Sequence, residues 1–359
     1  MPAVKRETNF ELLRIIAMLM VVSLHYLYYA GLPPSLTGSV NADSCCALAI
    51  ESLSIVAVNI FVLISGYFLA LSPFTPRRFF GRLILLVCQV LFYSALIPPI
   101  LKLLGQPIIA DTEGIYGVLN YIFPVSTEHY WFITSFVLMY LFSPLLNAAL
   151  EKIEKKQLEK IILALLIYFC FIKSLVPVML NMDNFGYDFG WFLVLYLSGA
   201  YIRKYGLTFM EKKGRALLLY LLCAAGVFGL KLGIYQLNAQ SGLLKYYYDV
   251  PFHYNFILVY LAAIGLFMAF MQLKIKEGRL AKGIRQVAPL SLGVYLLHMH
   301  IDIRDMWYTW TRPLFGGLDG LGVFGLFLDL AATVLLIYCA GIGVDALRRI
   351  IFKVVSRKT

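Results

Sequence analysis

Residues 10–30 read FELLRIIAMLMVVSLHYLYYA. Nearly every position is apolar, and as a helix rising 1.5 Å per residue the stretch is about 30 Å long, the thickness of a bilayer's hydrocarbon core. No small-residue cleavage site follows it, so it reads as a retained span and not as a removed signal peptide. Yet Glu11, Arg14 and His25 interrupt it. An ionisable group in the membrane interior costs at least about 2.5 kcal/mol, which makes Arg14 and His25 functional candidates by default.

Similar runs recur along the chain. They predict spans near 10–30, 45–71, 79–104, 129–149, 160–180, 189–203, 215–236, 252–273, 287–303 and 320–350. The predicted fold is an all-α polytopic transmembrane bundle of about ten spans, one domain over 1–359. Composition agrees: 61% of residues are hydrophobic and 14% charged, and mean hydropathy is +0.79. A soluble domain carries about a quarter charged residues.

The formal net charge of +11 does not point to nucleic acid. The cations fall in short clusters between apolar runs, with no basic amphipathic face and no nucleic-acid motif. With the N-terminus inside, the clusters at 5–6, 77–82, 152–160, 203–215, 274–285 and 348–358 all face the cytoplasm. Both termini are therefore expected there, in a plasma-membrane protein whose basic rims meet anionic lipid. The six cysteines form no metal-type spacing. The five histidines show no HExxH-like pattern, so no metal is expected.

Three groups of polar residues call for a reason. Arg14 and His25 are eleven residues apart, which is three helical turns plus about 20°, so they share a face about 16 Å apart along the axis. Such a face offers a cation near the inside and a proton acceptor deeper in. Arg14 could equally pair with Glu11, one turn back. Next come Ser65, Gly66 and Tyr67 closing the second span, followed by Arg77, Arg78 and Arg82 opening the third. Gly66 permits close backbone approach, and Arg78 and Arg82, at i and i+4, could grip phosphate together. Arginines at that place are also ordinary topology signals. Finally, His129, Trp131 and His298 lie toward the outer rim, where they could line a sugar site or simply anchor helices. Glu51 and Asn59 are further polar groups within the second span.

At these residues the chain resembles the membrane-bound acyltransferase 3 family, whose members O-acylate cell-surface sugars and other acceptors. Four motifs carry the resemblance, in order, over residues 10–300. They are Arg14 to His25 within Phe10-Glu-Leu-Leu-Arg14; Asn59-Ile-Phe-Val-Leu-Ile-Ser65-Gly66-Tyr67; His129-Tyr-Trp131-Phe132 with Pro144; and Tyr295-Leu-Leu-His298. The chain departs from the family's pattern in three places. Its arginines are spaced Arg78-x-x-x-Arg82, Asn59 stands where many members have Asp, and Ser135 or Phe136 stands where many have Glu.

The resemblance implies cytoplasmic acetyl-CoA as acyl donor and a saccharide or glycolipid hydroxyl as acceptor. It places CoA near Arg14, Ser65, Gly66, Tyr67, Arg77, Arg78 and Arg82, with His25 as general base or transient acyl carrier. His129, Trp131 and His298 would serve the acceptor. A transporter or flippase of a sugar-type substrate is the other reading. It would use Arg14, Glu51 and the histidines as a path, but the paired repeats common in transporters are not seen in the sequence. An oligomer stays open, because faces that meet lipid and faces that meet a subunit are equally apolar.

Overall fold

The computed structural model describes residues 6–32, 40–176, 184–212, 214–242 and 244–356. Helix follows helix, and no strand occurs among the described residues. The chain opens with α1 (Thr8–Tyr29), α2 (Ala42–Ser54), α3 (Ala57–Leu69), α4 (Pro76–Leu103), α5 (Ile109–Glu113) and α6 (Ile115–Ile122). It continues through α7 (Trp131–Lys152), α8 (Lys155–Leu166), α9 (Lys173–Leu175), α10 (Phe189–Tyr205) and α11 (Arg215–Ser241). It ends with α12 (Ile257–Met271), α13 (Arg279–Val287), α14 (Ser291–His298), α15 (Trp307–Phe315) and α16 (Gly322–Ser356).

Local chemistry sets several of the boundaries. The Asn41 side chain accepts from Ser44 N at 2.8 Å, and the Ser44 hydroxyl accepts from Asn41 N at 2.8 Å, a reciprocal cap that starts α2. Asp188 Oδ1 accepts from Trp191 N and starts α10. Pro76 stands at the head of α4, where its missing N–H costs nothing.

Among the described residues, seven stretches are long and apolar enough to cross a membrane: Thr8–Tyr29, Ala42–Leu69, Pro76–Leu103, Trp131–Lys152, Arg215–Asn238, Tyr246–Met271 and Gly322–Val354. The expected crossings at 160–180, 189–203 and 287–303 are not among them. In the first, α8 passes into the π-helical turn Ile167–Ile172, and residues 177–180 lie outside the described residues. The second is α10, apolar but only 17 residues long. The third is divided between the 3-10 turn Ala288–Leu290 and the eight-residue α14.

The chain forms two compact units, each drawn from two stretches of sequence. Unit 1 comprises residues 1–72 and 138–285; unit 2 comprises 73–137 and 286–359. In unit 1, Phe10, Leu13, Val22, Leu63, Trp191, Phe192 and Phe267 are fully buried. Here α3 and α10 meet backbone to backbone. A Cβ built on Gly66 would lie 2.5 Å from Tyr196 O, and one on Gly199 would lie 2.5 Å from Leu63 O. Small residues that let helix backbones touch are a common way of joining membrane helices, where apolar burial gives no drive. Gly66→Ala should therefore lower thermal stability by about 1–3 kcal/mol, since the opposing atoms are main chain and cannot rotate away. A Gly66→Ala protein melting at the wild-type temperature would contradict that contact.

A polar tie lies on the same helix pair. Asn59 is fully buried; its Oδ1 accepts from Trp191 Nε1 at 3.0 Å and its Nδ2 donates to Tyr254 O at 2.8 Å. Only an amide can do both, because a carboxylate has no hydrogen to give the carbonyl. The role of Asn59 is thus to hold α3, α10 and the turn before α12 together.

Unit 2 is tied by charge. Asp345 on α16 is wholly buried, and its oxygens accept from Arg348 Nε at 2.7 Å and Arg348 Nη2 at 3.0 Å. Asp345 Oδ1 also accepts from Gln89 Nε2 at 2.8 Å and from the Tyr93 hydroxyl at 3.2 Å, both on α4.

Candidate functional site

One end of unit 1 gathers the start of α1 and the last turns of α3 and α10. Arg14 donates to Glu11 Oε1 at 2.5 Å, one turn back, as the i, i+3 spacing allows. Arg6 lies 3.8 Å from the second Glu11 oxygen. The Arg14 guanidinium carbon is 6.0 Å from the Phe68 ring centroid. Phe10, Tyr67, Phe68 and Phe267 form one aromatic cluster, with centroids 5.1–5.4 Å apart. On its far side the Tyr67 hydroxyl accepts from Arg203 Nη1 at 3.1 Å, while the Arg203 guanidinium carbon stands 4.9 Å from the Tyr67 centroid.

Arg14 and Tyr67 therefore share an end, linked through Phe68, and Arg203 joins them. With Arg6 this makes three cations to one carboxylate, an arrangement that favours an anion. Sequence reading missed Arg203 as a site residue, because a basic residue in the last turn of a span looks like a topology signal. Ser65 Oγ donates to Phe61 O at 2.9 Å, within its own helix. Gly66 turns its bare face to Tyr196, so the space left by its missing side chain is filled by α10 and not by a ligand. Arg77, Arg78 and Arg82 open α4 in unit 2 and are exposed.

The other end of unit 1 holds the close of α1. His25 is half-buried, about 16 Å along the axis from Arg14. Its neighbour Leu24, with Tyr28 one turn on, borders a cavity of about 560 Å³ that also meets Glu51, Tyr187, Asp249 and Tyr254. Lys231 on α11 sits behind this cavity. Its Nζ donates to Tyr248 O at 2.6 Å and to Asp249 Oδ1 at 2.9 Å, and lies 3.4 Å from the Tyr248 ring centroid.

His129, Trp131 and His298 all belong to unit 2. His129 Nε2 accepts from Ile301 N at 3.0 Å, and its ring stacks on Tyr130 at 4.2 Å. The Tyr130 hydroxyl donates to Leu296 O at 2.9 Å. His298 is buried and donates from Nδ1 to Val294 O at 2.6 Å, back into its own helix. Trp131 begins α7 and packs edge-on against Phe132. Buried beside His129 are two residues that were not among the expected site residues. The His300 ring lies 4.6 Å from that of His129. Asp302 accepts from the Tyr121 hydroxyl at 3.0 Å and from Ile109 N at 2.7 Å. These bonds join loop to helix within unit 2. Among the described residues, no three His, Cys, Asp or Glu side chains are arranged to hold a metal ion.

A chain whose described residues are helical throughout their regular structure, with seven stretches among them fit to cross a bilayer, is a polytopic membrane protein. The family model described as an acyltransferase domain matches residues 7–344, nearly the whole sequence. The chain belongs to the acyltransferase 3 family and is a membrane acyltransferase. No curated protein and no solved structure matches it.

Proposed function

We infer that the protein transfers an acyl group, acetyl in the first instance, from cytoplasmic acyl-CoA to a hydroxyl of a cell-surface or lipid-linked saccharide. The topology proposed has about ten crossings of the plasma membrane, the seven long apolar stretches together with α10 and the two interrupted segments 160–180 and 287–303, with both termini in the cytoplasm and the whole chain acting as one catalytic domain. The observation that carries this reading is α1 itself. It has Arg14 inside a cationic cluster at one end and a half-buried His25 about 16 Å away on the same face.

In this mechanism the donor's phosphates lie at the Arg14 end, with Arg14, Arg203 and Tyr67 about them. The donor-binding role expected of Arg77, Arg78 and Arg82 at the head of α4 is part of the same proposal. The thioester is presented to His25. The imidazole removes the proton from the acceptor hydroxyl as its oxygen attacks the thioester carbonyl carbon. The carbon–sulfur bond breaks, the sulfur leaves with the electron pair, and the proton held on the imidazolium passes to it. The products are an O-acyl ester and the free thiol of CoA. A transient acyl-imidazole gives the same products in two steps. The acceptor-binding role expected of His129, Trp131 and His298 is likewise part of the proposal.

Purified protein in lipid nanodiscs tests the donor assignment. Loss of one charge-assisted hydrogen bond to phosphate costs about 1.5–3 kcal/mol, so Arg14→Ala should weaken acetyl-CoA binding roughly 10- to 150-fold. Arg14→Lys should recover part of the loss. Equal binding by wild type and Arg14→Ala would remove Arg14 from the donor site. If wild type neither binds nor turns over any member of an acyl-CoA panel, the donor class itself is wrong.

A further inference from the structure

The cavity at the His25 end of unit 1 has a lining that selects among ligands. Its volume of about 560 Å³ lies within the range of small-molecule sites, about 300–1,000 Å³. Aromatic rings dominate the walls, with Tyr28, Tyr187, Phe252 and Tyr254 among them. Glu51 projects into this surround. Its Oε2 is buried and has no hydrogen-bond partner among the described residues. A buried acceptor left unmatched is unfavourable, and a ligand donating a hydrogen to it would relieve that. Asp249 is the second carboxylate of the lining, and no Lys or Arg belongs to it. Lys231, the cation behind it, is already engaged with Tyr248 O and Asp249.

We propose that this cavity is the acceptor subsite, and that Glu51 orients within it a pyranose that is neutral or carries an amino group. Sugars bearing a carboxylate or phosphate are excluded. The inference rests on the acyl-transfer reading for the identity of the acceptor step. The selection comes from the lining: flat apolar rings accept the carbon–hydrogen face of a sugar, and the free Glu51 oxygen takes a hydroxyl or ammonium hydrogen. Asp249 is already matched by Lys231, so Glu51, with His253 as the other ionisable group of the wall, is the carboxylate that meets a ligand and disfavours an anionic substituent beside it; specificity arises from what is refused as much as from what is bound.

Two readouts on the full chain in nanodiscs test this. Saturation-transfer NMR reports binding without turnover, and CoA release from acetyl-CoA reports transfer. The probes are methyl glucoside, methyl glucosaminide and methyl glucuronide. Wild type should bind and acylate the first two, with a kcat/KM for the glucuronide at least about tenfold lower. The near-isosteric Glu51→Gln should raise the acceptor KM about tenfold or more against a smaller change in kcat, and should narrow the discrimination against glucuronide. Glucuronide performing as well as glucoside, an unchanged acceptor KM in Glu51→Gln, or no saturation transfer to any neutral sugar would each overturn the proposal. Neutral sugar binding that depends on Glu51, without CoA release by wild type, would keep the subsite and overturn the acyl-transfer reading instead.

Discussion

His25→Ala should reduce acyl transfer by about 10²- to 10⁴-fold, the contribution typical of a positioned general base. The measurement is release of labelled acetyl groups from acetyl-CoA, in the presence of acceptor, by purified protein in nanodiscs. The expectation is specific because His25 sits on a helix whose neighbouring positions are already packed. Leu13, Val22, Tyr26 and Leu27 of α1 are almost wholly buried, so the helix keeps its place when one half-buried ring is trimmed. Thermal unfolding of His25→Ala should accordingly stay near wild type. An acyl-enzyme that accumulates in wild type and disappears in His25→Ala would favour the two-step route. Full activity in His25→Ala would overturn the mechanism and leave the donor assignment to stand on the Arg14 result.

The second large effect belongs to Asp345. Its carboxylate is wholly buried and is the bidentate partner of Arg348, whose side chain is itself 9% exposed. Removing one member of a buried pair strands the other, at a cost of about 3–5 kcal/mol. Asp345→Ala should therefore lower the melting temperature by on the order of 10 °C. Gln89 and Tyr93 lose their acceptor in the same step. The double change Asp345→Leu with Arg348→Met removes both charges at similar volume and should recover much of the loss. An Asp345→Ala protein within 1 kcal/mol of wild type would show that Arg348 finds another partner, and the central role given to this pair would fall.

The membrane class, the helical fold and most of the spans were legible because lipid exposure demands long apolar runs, and those runs survive in one-dimensional sequence. The other three expected crossings do not recur among the long apolar helices, since α10 has only 17 residues and the other two segments are interrupted by turns. The hydropathy of 160–180 does not reveal the π turn at Ile167–Ile172, and that of 287–303 does not reveal the 3-10 turn at Ala288–Leu290. The Arg14–Glu11 pair was readable from its spacing alone. Partners far apart in sequence were not. Arg203 donates to Tyr67 across 136 residues, and Asn59 is held by Trp191 and Tyr254 across 132 and 195. Gly66 shows the same limit differently: glycine signals close approach, but only the fold shows that what approaches is α10.

The Asp345 cluster also bears on how the protein is made. Gln89 on α4 waits for a partner 256 residues further on. At about 5–20 residues per second of synthesis, that wait lasts tens of seconds. During it α4 offers the bilayer only an amide and a phenol from this cluster, which are neutral groups. The charges travel together, Asp345, Arg348 and Arg349 lying within about one turn of each other on the same helix. Asp345 can therefore reach the membrane already matched by its two arginines. Biogenesis thus never asks a lone charge of this cluster to wait in lipid for its counterpart, and α16 arrives as the piece that closes unit 2.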